Sequence, residues 1–532
     1  MNRRKPKSNN SIEELNLRYV DEFKAVSVSP SLKENLARVK ELAKENSDFV
    51  IREFQLEDSV AAFMFYVDGL ASGSQVDFAL KEIMILEGGL SQLSAIQEHV
   101  LAVSQMSNAD NYGDMLIGVL GGDTALFVEG NTKVCLLGMR GPHTRGVSEP
   151  ELETVVRGPR EGFIENIRVN TSLLRRKLKT PYLKMKPMIV GKQSNTNVVI
   201  TYMEGIVDAN LVTEVVERIE KIDIDAILET GYIEEFIQDH AYSPFPQVQY
   251  TERPDTVAAA LLEGRVAIMV DGTPIALIVP VTFWSLMQAN EDYFERYQLA
   301  TLIRWMRYIF LIIALFGSAA YIAVSTYHQS LLPTSLLLSI ASSREMVPFP
   351  VVVEALILEI SFEALREAGV RLPKAIGQAV SILGGLVVGT AAVEAGIVSA
   401  PMVIVVAGAG IASFTIPRYN ASIAVRMLRF PLMILASIFG IYGILIGLVL
   451  LFGHLVNLRS FGIPYLSPTN PLSIPDLKDV AWRAPWWMQK DRPSFMPLMD
   501  TRRMGDHLAD EIAEHGGQSG KDIDHKQPEK GD

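Results

Sequence analysis

The sequence predicts an α/β domain built from two related subdomains, followed by an α-helical domain that crosses a membrane several times. Three observations carry this expectation. Mean hydropathy is +0.20 although 21% of the 532 residues are charged, so apolar and charged residues must be segregated along the chain. Long apolar runs begin only near residue 305. Upstream of that point, strand-like and helical patterns alternate, and two local patterns recur in the same order.

The first recurring pattern is a strand that ends in aromatic, apolar, acidic, glycine. It reads Tyr66, Val67, Asp68, Gly69 in one copy and Tyr202, Met203, Glu204, Gly205 in the other, and each leads into a helical pattern. The second is a hairpin, with Val128, Glu129, Gly130 matching Val270, Asp271, Gly272 between apolar runs. An acidic residue followed by glycine marks a tight turn, because glycine accepts the positive φ such turns need. The expected plan is a disordered polar tail at 1–30, subdomains at 31–160 and 161–300, a transmembrane domain at 301–457, a Pro- and Trp-rich membrane-proximal segment at 458–498 and a disordered tail at 499–532.

The N-terminal half carries no catalytic constellation. The eight histidines of the whole chain form neither HExxH nor a defensible Ser/His/Asp arrangement, and the Gly158 to Gly162 loop lacks the spacing of a nucleotide-binding motif. Arg175, Arg176, Lys177 and Lys179 read as a solvated helix C-terminus, where cations suit the dipole. The single cysteine, Cys135, excludes an internal disulfide and reads as a core residue. No enzyme, cofactor or metal site is expected. A net charge of -12 argues against nucleic acid as a partner. The opening MNRRKPKSNN has no apolar core of a signal peptide, which places the large N-terminal part in the cytosol.

In the apolar half, Tyr293, Tyr297, Trp305 and Tyr308 suit a membrane interface, with Arg304 and Arg307 snorkelling toward headgroups. A first span to about Ser325 is followed by a short segment interrupted by Pro333, suited to an interfacial or re-entrant position. Further spans are expected at about 373–395, 397–414 and 430–454, two of them with glycines in GxxxG spacing at Gly385 and Gly389 and at Gly443 and Gly447. Arg304 and Arg307, Arg366 and Arg371 with Lys374, and Arg418, Arg426 and Arg429 form three basic clusters that fall on one side if the intervening acidic segment crosses fully.

That acidic segment, Ser342 to Lys374, is the candidate functional site. It is apolar enough to enter a membrane yet carries Glu345, Glu354, Glu359, Glu363 and Glu367. Carboxylates are costly in hydrocarbon and tend to face a bundle interior or a water-filled path. Glu359, Glu363 and Glu367 recur at i, i+4 and i+8 and share a helix face. Rings of glutamate formed by oligomerisation favour cations, so Glu359 and Glu363 are the expected selectivity residues and Val352 and Leu356 the expected gate. Pro348 and Pro350 set the start of the helix, and Glu345 sits at a pore mouth or pairs with Arg344. The competing reading makes Glu363 with Arg366, and Glu367 with Arg371, ordinary salt bridges.

Several long motifs resemble the A subunits of the GerA family of spore germinant receptors. They include VVRGPREGFIENIRVNTSLLRRKL, YTERPDTVAAALLEGRVAIMVDGTPIALIVP and STYHQSLLPTSLLLSIASSREMVPFP, and the likeness covers roughly residues 50–495. The resemblance implies a multi-pass protein of the spore inner membrane, working with a transporter-like B subunit and a lipoprotein C subunit. It also implies a homo-oligomer around a pore that releases monovalent cations when nutrient binds. A paralogous amplifying channel encoded with the dipicolinate-channel genes, a solute transporter and a non-conducting scaffold remain as alternatives.

Overall fold

Each recurring hairpin of the sequence is a pair of antiparallel strands whose turn glycine has positive φ: Gly130 at 82° and Gly272 at 92°. The computed structural model describes residues 21–56, 60–85, 105–141, 149–150, 153–372, 385, 389–505 and 512. Two compact units result. One comprises Met1–Ile237, Tyr250–Val279 and Ala484–Asp532, and the other Gln238–Gln249 and Pro280–Arg483.

The first unit holds two five-stranded sheets. Strands β1 (Phe49–Gln55), β2 (Ala61–Val67), β3 (Met106–Ala109), β4 (Thr124–Val128) and β5 (Val134–Leu137) are arranged β1-β2-β4-β5-β3. Strands β6 (Leu183–Val190), β7 (Thr196–Met203), β8 (Gln249–Thr251), β9 (Val266–Val270) and β10 (Ala276–Val279) are arranged β6-β7-β9-β10-β8, the same permutation. The internal duplication is therefore a duplication of topology. The helix–strand alternation does not signal parallel crossovers here, since β1/β2, β2/β4, β4/β5 and β3/β5 all pair antiparallel, as do β6/β7, β7/β9 and β9/β10. Central strands β4 and β9 are buried along their whole length, which explains their unbroken apolar runs.

The duplication begins one helix earlier than the sequence patterns show. Helix α1 (Leu32–Leu42) precedes the first sheet and α4 (Ile167–Lys177) the second, with α2 (Gly73–Ile85) and α3 (Tyr112–Leu120) between them in the chain. The turn acid of each hairpin caps the first helix of its own repeat. Glu129 Oε2 accepts from Leu32 N at 2.9 Å, and Asp271 Oδ1 from Ile167 N at 3.1 Å. Each turn glycine then donates to the chain just before that helix, Gly130 to Pro30 O and Gly272 to Glu165 O. A buried asparagine at the fourth helical position closes the same loop twice. Asn35 bonds both backbone groups of Ser29, and Asn170 both of Ile164. Unmet helix N-terminal N–H groups and a buried turn thus satisfy one another.

Arg175 is a correction to the solvated-helix expectation. Its side chain is fully buried, with Nε and Nη2 each 2.9 Å from the Asp48 carboxylate and Nη2 3.2 Å from Asn46 Oδ1. Asp48 and Asn46 lie just before β1, so this fork joins the second repeat to the first. The physical reason is the phase of α4: Leu173 and Leu174 face the core, and position 175 lies on the same buried side. The Gly158 loop is held by Arg253, whose Nη2 donates to Pro159 O at 2.7 Å.

The second unit is helical, with α8 (Tyr297–Thr326), α9 (Thr334–Arg344), α10 (Val351–Arg371), α11 (Ala400–Ser413), α12 (Tyr419–Phe439) and α13 (Ile441–Asn457). Helices α5 (Ala209–Glu220), α6 (Thr230–Ile237) and α7 (Pro254–Leu262) complete the first unit. Only α8 and α12, among the described residues, are long and apolar enough to cross a membrane by length and composition. Helix α9 has 11 residues, about 16 Å, too short to span a ~30 Å core. Most of the expected span at 373–395 lies outside the described residues.

The expected single span at 430–454 is two helices. Gly440, at φ 62°, breaks the run between α12 and α13. Gly443 and Gly447 then serve close packing: a Cβ on Gly443 would lie 2.0 Å from Leu435 O, and one on Gly447 2.3 Å from Leu432 Cδ2. The GxxxG spacing therefore folds α13 back on α12 within one chain.

Replacing Arg175 with Leu should strand Asp48 in the interior and cost about 3–5 kcal/mol. Faster hydrogen exchange in Phe49–Gln55 and Leu183–Val190 of the full chain would report it. A second prediction concerns Glu234 on α6, whose carboxyl is pushed up to about 7 by burial, with Glu229 and Glu235 adding to the effect. The folded state holds its proton more tightly than the unfolded chain, so this contribution is complete below about pH 4.5 and is lost as pH rises through about 7. Glu234→Gln should raise thermal stability at pH 8 by roughly 1–3 kcal/mol and leave it little changed at pH 4.5.

Candidate functional site

Helix α10 has 21 residues and starts from Pro350, its N-cap residue. Its length, about 31 Å, matches a bilayer core despite its charges. Pro350 supplies the carbonyl that accepts from Glu354 N, and Pro348 and Glu345 are exposed in the segment before it. Val352 and Leu356 are half-buried and pack against the core of the helical unit.

The acidic side chains of α10 are anchored at three depths. Glu354 is fully buried. One of its oxygens lies 3.0 Å from Arg344 Nη2, and the other accepts from Ser399 N at 2.9 Å and Ser399 Oγ at 2.8 Å. Ser399 is the N-cap of α11, so Glu354 satisfies a helix N-terminus and ties α9, α10 and α11 together. Arg344 thus pairs with Glu354 rather than with its neighbour Glu345.

Glu359 is 2% exposed. Its carboxylate receives Arg429 Nη1 at 2.6 Å and Ser318 Oγ at 2.8 Å. Arg429 also donates from Nε to Ala314 O at 2.8 Å and from Nη2 to Ala409 O at 3.3 Å. One ion pair therefore bonds to α8, α10, α11 and α12. Glu363, farther along, receives Arg366 Nη1 at 3.1 Å and Arg426 Nη1 at 3.0 Å. Glu367 pairs with Arg371. Along the shared face, side-chain exposure climbs from 2% at Glu359 to 33% at Glu363 and 63% at Glu367, so the face leaves the bundle toward the helix end.

The arginines are where sequence reasoning fell short. The sequence places Arg426 and Arg429 between the spans expected at 397–414 and 430–454, but α12 begins at Tyr419 and both lie within it. A usable signal was present. Glutamates four apart on one apolar segment and arginines three apart on another each share a helix face and can pair across two helices, and the pairing of Glu359 with Arg429 and of Glu363 with Arg426 runs those helices in opposite directions. Arg304 and Arg307 are likewise buried rather than snorkelling. Arg307 forms a two-pronged pair with Asp292 at 2.7 and 2.8 Å, Arg304 reaches Asp292 at 3.3 Å and Asp479 at 3.2 Å, and Arg483 Nε donates to the Asp292 carbonyl. Asp292, on a short helical turn just before α8, gives these guanidinium groups an internal partner that competes with water.

Among the described residues, no group of three or more His, Cys, Asp or Glu side chains could hold a metal ion.

Comparison with known proteins places these features in a family context. The family described as Bacillus/Clostridium GerA spore germination protein matches residues 37–495. The uncharacterized membrane protein YfkQ of Bacillus subtilis is 53% identical over 468 residues, covering 88% of this chain and 91% of its own. Spore germination protein KA of the same organism is 42% identical over 504 residues, covering 94% and 93%. The crystal structure of the N-terminal domain of the A subunit of the Bacillus megaterium spore germinant receptor GerK3 is 36% identical, covering 48% of this chain and 97% of that one, with a TM-score of 0.39.

The geometry predicts strong coupling between Glu359 and Arg429. Arg429→Gln, which strands a buried carboxylate, should cost about 3–5 kcal/mol. The Glu359→Gln/Arg429→Gln double variant should be more stable than the sum of the single losses by roughly 1–3 kcal/mol. Thermal unfolding of the four proteins in detergent reads this cycle, and additive losses would show the pair to be uncoupled.

Proposed function

The chain belongs to the Bacillus/Clostridium GerA spore germination protein family, and from that premise we propose that it is the channel-forming A subunit of a nutrient germinant receptor. In this reading it resides in the spore inner membrane, with its N-terminal unit on the cytosolic side. It assembles with further copies of itself around a pore, and with a transporter-like B subunit and a lipoprotein C subunit that sense nutrient. Monovalent cations leave through the pore when nutrient binds.

The observation that supports this reading best is the row of carboxylates on α10, each neutralised by an arginine of the same bundle. Ionisable groups are retained in apolar helices at a cost, and ion pathways are among their uses. In the paired state Glu359 offers nothing to a passing cation, because Arg429 occupies its carboxylate. Opening would then consist of separating Glu359 from Arg429 and Glu363 from Arg426, turning neutral pairs into an acidic lining. Val352 and Leu356, about two turns and one turn before Glu359 on the same helix, form the apolar constriction in this account. The arginine-rich starts of α8 and α12 and end of α10 support cytosolic placement of that end.

A scaffold reading draws on the same pairs, since carboxylates that never leave their arginines hold helices together without conducting. Ion flux separates the two. In vesicles containing the receptor with its partner subunits, Glu359→Gln and Glu363→Gln should lower the preference for potassium over chloride severalfold. Val352→Ala and Leu356→Ala should raise basal potassium release without nutrient. Unchanged reversal potentials and unchanged basal release in all four variants would contradict the channel assignment.

A further inference from the structure

The pairing at Glu363 is unequal. Two guanidinium groups, Arg366 and Arg426, share this one carboxylate, at 3.1 and 3.0 Å. Directly inside them, Arg429 and Glu359 neutralise each other, and just beyond them Arg371 and Glu367 do the same. Among the described residues, this triad of two guanidinium groups and one carboxylate carries one positive charge in excess, where α10 and α11 finish and α12 begins. Arg426 is about nine-tenths buried, and its Nε forms no hydrogen bond to any described residue. A buried charged donor of this kind costs stability unless something accepts from it.

The surroundings define what that acceptor is. Arg366 stacks on the Phe414 ring with its guanidinium carbon 4.6 Å from the centroid, and Arg426 sits 5.8 Å from the centroid of Tyr419. Aromatic faces orient a guanidinium without using its N–H groups, which leaves those groups for a ligand. Phe414 is 68% exposed, as are Ile411 one turn before it on α11, Ile360 on α10 and Met427 on α12 to similar extents. Charge, aromatic edge and exposed apolar surface therefore meet at one helix end.

We propose that Arg366 and Arg426 hold the phosphate of an anionic phospholipid, whose acyl chains lie along the exposed apolar faces of α10, α11 and α12. A phosphodiester carries one negative charge, equal to the local excess, and its oxygens accept from a guanidinium fork. Zwitterionic lipid offers the same phosphate with a compensating ammonium, so it binds less well. A basic pocket between helices at a positive membrane face suits such a headgroup. The inference rests on insertion of the helical unit in a bilayer and not on ion conduction.

The test uses the full chain, purified in detergent and stripped of lipid, with native mass spectrometry counting bound lipid. Phosphatidylglycerol should bind at least about tenfold more tightly than phosphatidylcholine, and inorganic phosphate at the same concentration should not displace it. The Arg366→Gln/Arg426→Gln double variant should lose this preference, Arg426→Lys should keep part of it, and Arg371→Gln, the loss of one charge outside the cluster, should leave it intact. Equal binding of the two lipids by the wild-type chain overturns the proposal without any variant having to fold. So does a preference that survives the double substitution. Displacement by inorganic phosphate alone overturns the lipid assignment in favour of a soluble phosphate. Ion release from vesicles containing the receptor is a separate readout, so equal lipid binding by the wild-type chain with flux intact refutes this site while leaving the channel reading standing.

Discussion

The Glu359–Arg429 ion pair is the constraint on which the helical unit depends. Its hydrogen bonds reach α8 through Ser318 and Ala314 and α11 through Ala409, while the pair itself spans α10 and α12. In an apolar bundle such a pair is costly to build and more costly to break by halves, because either partner alone is an uncompensated buried charge. That asymmetry fixes the register of four helices at one point. Glu354 adds a second fixed point by capping α11, and Glu363 a third, looser one at the bundle end.

The N-terminal unit solves a different problem with the same economy. Each repeat uses an acidic turn residue to cap its own first helix, so the hairpin and the helix cannot be placed independently. The two repeats are then joined through Arg175 and Asp48, charged groups that are buried together. A substitution at either end of that fork leaves an unmatched charge in the interior, so the repeats behave as one body.

Much of this was legible in the sequence. The paired acidic-glycine turns predicted the duplication because glycine at positive φ is a local requirement, visible without tertiary information. The apolar runs located the helical unit for the same reason. What could not be read locally was partner choice. Arg175 looked like a helix-end cation because its neighbours Arg176 and Lys177 are just that, and only the phase of α4 against Asp48 separates them. Arg426 and Arg429 looked like loop residues because charge usually marks the end of a span, yet here each is matched by a glutamate on a helix more than sixty residues earlier. Gly440 was hidden in a continuous apolar run, where hydropathy is blind to a backbone reversal. The sequence fitted Glu363 equally well to a pore lining and to a salt bridge with Arg366; the structure adds Arg426, which neither reading contained.

The central claim is that α10 borders an ion path created by assembly of several copies. The most direct measurement is the structure of the receptor in lipid nanodiscs, read for copy number and for the helix nearest the symmetry axis. The account predicts a closed ring with α10 at the axis and the Glu359 carboxylate within reach of the lumen once Arg429 moves away. A single copy bound to its partners, or a ring with α10 facing lipid, would contradict it.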